Sequence, residues 1–369
     1  MVFGFYMLVP VLPVYMHEVL GANAKQIGLV IPFYAVGALL VRPFCGYVLD
    51  NIGRKFAYLA GFFCFSFLFL GYGVFESLIA LLFVRFLHGI TWGIVSTGGQ
   101  TITVDILPES RMGEGISYYG VSMGLAMAMG PLLGFWLLES IQGLKYFAVV
   151  SLICLVAWGI ALIIRYPAYK SEQRKLDLDS FFEKKSLPCS LVCMIYCFAN
   201  AAIITYVPLY CEEYEALKPS NFFCFYSLTL CVVRLFAGKI FDKCDPIIPV
   251  TIGFFSAIIG HLLLKFSDGP IYFHLAACFT GLGGGMVFPC FSTSINNLVT
   301  IHRRGAANAT YFSALDIGVC IGIVVFGQLA YHFGSIRHIY SFAAILVLTA
   351  YFLYLFYAHP HYNKHTLKK

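Results

Sequence analysis

A nine-residue segment occurs twice in this chain, as Arg42-Pro-Phe-Cys-Gly46-Tyr-Val-Leu-Asp50 and as Arg234-Leu-Phe-Ala-Gly238-Lys-Ile-Phe-Asp242, each closing a long apolar run. Arg, Gly and Asp keep their spacing, and the two copies stand 192 positions apart. The same offset carries Gly89 onto Gly281, Gly93 onto Gly285, Gly113 onto Gly305, Tyr119 onto Tyr311 and Gly130 onto Gly322. One half of the 369 residues is therefore a diverged copy of the other. A repeat of half the chain length, in a very apolar protein, is the pattern of a two-fold membrane bundle with its working site between the repeats. That pattern points to moving a solute.

Only 11% of the residues are charged and 60% are hydrophobic, whereas a soluble domain carries about a quarter charged residues. A bilayer core of about 30 Å takes about 20 apolar residues per helix. On that ruler twelve spans are expected, near 1–20, 26–48, 56–74, 78–104, 113–137, 144–164, 188–210, 221–241, 247–266, 270–296, 306–331 and 338–358. The runs are continuous and lack the alternation of a lipid-facing strand, which favours helices over a barrel. The expected fold is all-α and integral to the membrane, with twelve transmembrane helices in two six-helix pseudo-symmetric halves. These halves would be 1–165 and 188–369, joined by a polar cytoplasmic linker at 166–187 that serves as a connector or as a regulatory docking segment.

Orientation follows from the basic residues. With both termini cytoplasmic, sixteen of the 24 Lys and Arg fall on the inner side, among them Arg54, Lys55, Arg111, Lys239, Lys243, Arg303 and Arg304; five fall outside, and Arg42, Arg85 and Arg234 lie in spans or at their ends. This is the positive-inside asymmetry. The formal charge of +6 is thus a signal of topology and no sign of nucleic-acid binding. Met1 starts directly in apolar sequence, without the charged region of a signal peptide. Matching Leu12-Pro13-Val14-Tyr15 to Val207-Pro208-Leu209-Tyr210 makes the first helix about eight residues short at its cytoplasmic end, or about 12 Å at the helical rise; a misassigned start codon and a real shortening both fit. No soluble domain is expected on the chain.

Thirteen cysteines suggest metal or disulfide chemistry, but nearly all lie within spans and none forms a C-x-x-C pair. Cys189, Cys193 and Cys197 share one helix face, which serves packing or, alternatively, a soft-metal path. No metal and no cofactor are expected.

Gly46-Tyr-Val-Leu-Asp50-Asn-Ile-Gly53-Arg54-Lys55 joins spans two and three. Gly46 lets helices approach, Asp50 offers a carboxylate at the membrane face, Gly53 permits a tight reversal, and Arg54 and Lys55 hold the loop inside. The pattern resembles the loop motif of the major facilitator superfamily, and Gly238 to Asp242 with Lys243 stands where that superfamily has its second copy. A further stretch, Asp105 through Pro108, Arg111, Gly113 and Glu114, is similar to the loop of its drug:proton antiporters. The resemblance implies a charge relay in which Arg54 meets Asp105 while Asp50 faces the start of helix eleven near Gly305. In span five Gly120, Gly124, Gly130-Pro131 and Gly134 resemble the antiporter Gly-Pro signature, although Phe135 replaces the last glycine of that pattern. Close packing of helices is the bare reading of the same glycines.

Ionisable groups inside a span are costly and face a cavity or a partner. Asp316 lies twelve residues beyond Arg304, about 18 Å along a helix, and is the leading candidate for proton coupling; a structural acid is the alternative. Arg85 sits where the superfamily has an arginine associated with proton transfer, and His88 beside it is a proton carrier or a packed histidine. Gln100, Asn200, Asn296, Asn308, Tyr6, Tyr34, Trp92, Tyr119 and Tyr311 would line a substrate cavity if they face inward.

The expected function is secondary active transport by alternating access, as proton-coupled efflux, with a sugar or metabolite carrier as the alternative. A polytopic enzyme or sensor is the rival of another class. Clustered nucleophile, base and metal-ligand sets are missing from the sequence, so catalysis is not expected. The partners would be a small solute, protons and the bilayer, with the protein acting as a monomer at the cytoplasmic membrane.

Overall fold

The computed structural model describes residues 1–141, 143–166, 181–212, 217–267 and 269–367. Twelve long helices dominate them: α1 (Val2–Glu18), α2 (Val30–Asn51), α3 (Arg54–Val74), α4 (Leu78–Ile106), α5 (Met112–Ser140), α6 (Leu144–Ile163), α7 (Leu187–Glu212), α8 (Pro219–Lys243), α9 (Ile247–Lys265), α10 (Pro270–Asn297), α11 (Arg304–Phe333) and α12 (Arg337–Leu353). No strand occurs among the described residues. Each expected span coincides with one helix. Among the described residues eleven helical stretches are long and apolar enough to cross a bilayer, α12 together with its continuation through Tyr354–Ala358 and His359–His365; α1 has 17 residues against 26 in α7. Of the polar connector expected at 166–187, residues 167–180 lie outside the described residues.

The helix ends follow local chemistry. Gly53, at φ 130°, reverses the chain between α2 and α3 in a backbone region closed to other residues. Gly334, at φ 63°, ends α11 in a left-handed cap whose N–H reaches the Tyr331 carbonyl. Proline opens α8 and α10, where its missing N–H has no helical partner to lose. Large apolar side chains remain uncovered, Ile79 at 80% and Ile163 at 82% exposure, as befits a chain whose solvent is lipid.

The helices condense into two compact units. One comprises Met1–Ile106 with Leu125–Phe182, the other Leu107–Gly124 with Glu183–Lys369, so α5 contributes its first turns to the second unit and the remainder to the first. In the first unit α2 packs along α4, and α3 packs on α4 and α6. In the second, α8 packs along α10, and α9 packs on α10 and α12.

Glycine contacts repeat at the sequence offset. Gly89 of α4 backs onto the Tyr34 carbonyl of α2, and Gly281 of α10 onto the Tyr226 carbonyl of α8. Gly93 meets Ala38 and Val41, while Gly285 meets Leu230 and Val233; Gly61 meets Ile94 and Val95, while Gly253 meets Met286 and Val287. Every partner is displaced by 192 positions. Helices in lipid gain little from apolar contact, so close backbone approach at small residues sets which helices pair. The duplicated glycines thus encode a duplicated set of helix pairs.

Candidate functional site

In the first unit, a two-residue turn at Ile52 and Gly53 brings the end of α2 and the start of α3 together. Asp50 and Arg54, four residues apart, consequently face each other, with Arg54 Nη2 3.4 Å from Asp50 Oδ1. Arg54 Nη1 also pairs with Oδ2 of Asp105, in the last turn of α4. The Arg54 and Asp105 side chains are 5% and 3% exposed, so one desolvated guanidinium bridges two carboxylates from different helices. Beside this pair lies a cavity of about 670 Å³ with apolar walls of Phe56, Leu59, Phe63, Ile102 and Trp158. Lys55 at its edge stands 5.4 Å from the Tyr166 ring.

The second unit uses its copy of the motif differently. Pro246 occupies the position equivalent to Arg54, and the carboxylate of Asp242 accepts from the backbone N–H of Gly113, at 3.1 Å, and of Glu114, at 2.9 Å. These are orphan donors at the first turn of α5, where the helix dipole favours an anion. Glu114 forms a hub there, accepting from Arg111 Nε at 2.7 Å and the Tyr118 hydroxyl at 2.9 Å, with Lys239 Nζ at 3.5 Å. Arg234 donates to the Gly120 carbonyl one helical stretch further on.

The crossing of α8 and α5 depends on Gly238. A Cβ there would run into the backbone of Gly113 and Glu114, with no flexible side chain to give way. Gly238→Val is therefore expected to lower the unfolding midpoint in detergent, by about 1–3 kcal/mol of overpacking. Gly159→Val is the control, since nothing lies within 4 Å of a Cβ at Gly159. Equal midpoints for the two variants would remove the crossing from the account.

Arg85 of α4 is buried with 2% exposure. Its guanidinium lies 4.4 Å from the Tyr34 ring centroid and 5.6 Å from that of Phe5. His88 is enclosed by Phe65 and Phe69, with Nδ1 3.0 Å from the Tyr72 hydroxyl. Trp92 stacks on Phe5 at 4.7 Å.

Asp316 is half-buried near the middle of α11, in the electrostatic neighbourhood of Cys197 on α7 and Cys320. Four of the other polar candidates have partners on a neighbouring helix. Asn296 and Asn308 exchange amide hydrogen bonds at 3.2 and 3.1 Å between α10 and α11, and they also reach the Ser292 and Arg304 carbonyls. This reciprocal, fully buried pair links α10 to α11. Tyr311 donates to the Phe288 carbonyl at 3.1 Å, and Asn200 is hydrogen-bonded to the Tyr226 hydroxyl. Gln100 is buried in α4, whereas Trp92 and Tyr119 are half-buried.

Around Pro131 the α5 glycines separate into two sets. Gly130 and Gly134 receive Tyr6 and Met7 of α1, while Gly124 receives Leu230 and Cys231 of α8. Cys193 donates to the Tyr311 hydroxyl at 3.7 Å, and among the described residues no group of His, Cys, Asp and Glu is arranged to hold a metal.

The sequence profile of the Major Facilitator Superfamily matches residues 1–270 and 220–369. The chain belongs to the Major Facilitator Superfamily. It is 24% identical over 361 residues to an uncharacterised MFS-type transporter of Methanocaldococcus jannaschii, covering 93% of this chain and 91% of that protein. It is 21% identical over 336 residues to the quinolone resistance protein NorA of Staphylococcus aureus, covering 88% and 86%. In fold it matches the human organic anion transporter MFSD10 with a TM-score of 0.81 at 16% identity, over 95% of both chains. The protein is thus a multi-pass membrane transporter of the superfamily, with its twelve-helix fold.

One ion pair of this superfamily member escaped the sequence reading. Glu183 pairs with Arg303 Nε at 2.6 Å, and its backbone N–H donates to Thr310 Oγ1 at 2.9 Å, tying the chain that enters α7 to the start of α11. Both residues sit in basic loop sequence, where a charge-bias argument counts arginines without pairing them. The contacts of Tyr118 and Lys239 with Glu114 were missed as well, and the one sequence signal for them is the spacing of four between Glu114 and Tyr118.

Proposed function

We propose that this transporter is a proton-coupled exporter of small solutes working by alternating access. In this reading the repeats 1–165 and 188–369 are joined by the linker 166–187, both termini are cytoplasmic and the monomer is the working unit. Asp316 is the observation that carries the coupling. A carboxylate near the middle of a membrane helix can exist charged or neutral, and its protonation biases the equilibrium between states open to opposite sides. The direction rests on the relation to NorA and on the Gly130-Pro131 groove of α5, which resembles that of antiporters. In the same reading the Asp50–Arg54–Asp105 cluster lies on the cytoplasmic side and holds one of the alternating states.

Sugar carriage, the alternative, calls for amide side chains open to hydroxyl groups. Asn296 and Asn308 bond each other, which speaks against it.

The test uses purified protein in proteoliposomes with an imposed pH gradient and a trapped pH indicator. A panel holding a quinolone, a lipophilic cation, an aryl carboxylate and a hexose is added in turn. The expected result is solute accumulation on the acidic side with matching proton flux, both removed by a protonophore. Flux indifferent to the gradient and to the protonophore would overturn proton coupling; accumulation on the opposite side would overturn efflux.

A further inference from the structure

We infer that the Arg85 box binds the anionic group of an aromatic, carboxylate-bearing solute, an assignment of substrate class that rests on the transporter reading above. The guanidinium is buried, and Nε and Nη1 have no hydrogen-bond acceptor among the described residues. No carboxylate among the described residues pairs with it either: its polar neighbours are Tyr72, to which it is hydrogen-bonded, and His88, and the ring contacts are the faces of Tyr34 and Phe5. Ring faces replace only part of the hydration that a buried guanidinium gives up. Loss of the proton is closed to arginine. What completes such a site is an anion, and a carboxylate suits the planar fork through two parallel N–H bonds.

The same surroundings select the rest of the solute. Phe5 stacks on Trp92 at 4.7 Å and on Tyr34 at 5.1 Å, forming a ladder of rings beside the charge. Phe5 and Trp92 are only half-buried, so the ladder forms the accessible wall, and an aryl group packs against its outer face because the rings at 4.7 and 5.1 Å leave no gap between them. A cationic aryl compound meets an uncompensated positive charge and is rejected. The box therefore discriminates by the sign of charge as well as by shape.

Binding is measured on the full chain in detergent, without membrane or gradient, by calorimetry and by quenching of tryptophan emission. The probes are naphthoate, naphthamide and naphthylmethylammonium, which share the ring and differ in charge. The expected result is saturable binding of naphthoate, tighter than the neutral amide by about tenfold or more, the usual scale of a charge-assisted hydrogen bond. Arg85→Gln should remove that preference, and Arg85→Lys, which keeps the charge without the fork, should retain part of it. Trp92→Phe should diminish the quench while calorimetric binding persists. Thermal unfolding checks that each variant is folded, and the Lys variant carries the test if the Gln variant is not.

Equal affinity for the three probes, or undiminished naphthoate preference in a folded Arg85→Gln protein, would overturn the assignment. Because no gradient is present, anion binding by a protein without proton-coupled flux would leave this inference standing and sink the exporter reading; proton-coupled flux without anion preference would do the reverse.

Discussion

Asp316→Asn is expected to abolish accumulation of solute against its gradient while equilibrium exchange of the same solute survives. The asparagine keeps the size of the aspartate and removes its ability to change charge, so the alternation between states continues without a proton to drive it. Exchange needs no net proton movement, and this separates loss of coupling from loss of the fold. The measurement compares pH-driven uptake with counterflow in the same proteoliposomes. Retained pH-driven accumulation in Asp316→Asn would transfer the proton-linked role to His88, which lies beside Arg85 in a ring of aromatics. Loss of both activities would show that the acid holds the helices together and does not couple.

The second large effect is expected at the three-residue charge cluster. Arg54 pairs with Asp105 and stands 3.4 Å from Asp50, so removing either carboxylate leaves a buried guanidinium short of a partner. Truncating one member of a desolvated pair costs about 3–5 kcal/mol where burial is complete. Asp105→Asn should therefore lower the unfolding midpoint in detergent strongly. Adding Arg54→Gln should recover part of that loss, because the double variant no longer carries the stranded charge. Asp50→Asn, which removes the more distant carboxylate, should reduce transport with expression largely intact. Strictly additive midpoints, or normal flux in Asp50→Asn at normal protein level, would show that the cluster merely anchors the loop.

Much of the machinery was legible because it is local. Asp50, Gly53 and Arg54 lie within five positions, and a tight turn between two helices leaves few ways to arrange them. Glycine spacing in α4 and α10 likewise announces close helix approach, since a small residue at every turn has little other use in lipid. The cavity residues were harder. Asn296 and Asn308 looked like isolated polar side chains on two spans, and their mutual clamp exists only because α10 and α11 place them opposite each other. Glu183 and Arg303 are 120 positions apart and belong to loops that no periodicity describes.

From the amino-acid order alone came the membrane class, the twelve spans, the duplication and the family resemblance. Each of these rests on properties that accumulate along the chain: apolar run length, the bias of basic residues, and a repeated motif at constant offset. Only the tertiary structure decided what the repeated residues touch. Arg42 donates to Ser96 and Thr97 inside the first unit, whereas its counterpart Arg234 donates to the first turns of α5. Asp242 accepts two backbone N–H groups at a helix start, and Arg85 lies against the rings of Tyr34 and Phe5 with no carboxylate partner among the described residues. A hydrogen bond or an ion pair depends on distances of a few ångströms between helices remote in sequence. Composition and spacing do not carry that information, because the same side chain faces a lipid, a backbone or a charge according to the rotation and crossing of the helix that bears it.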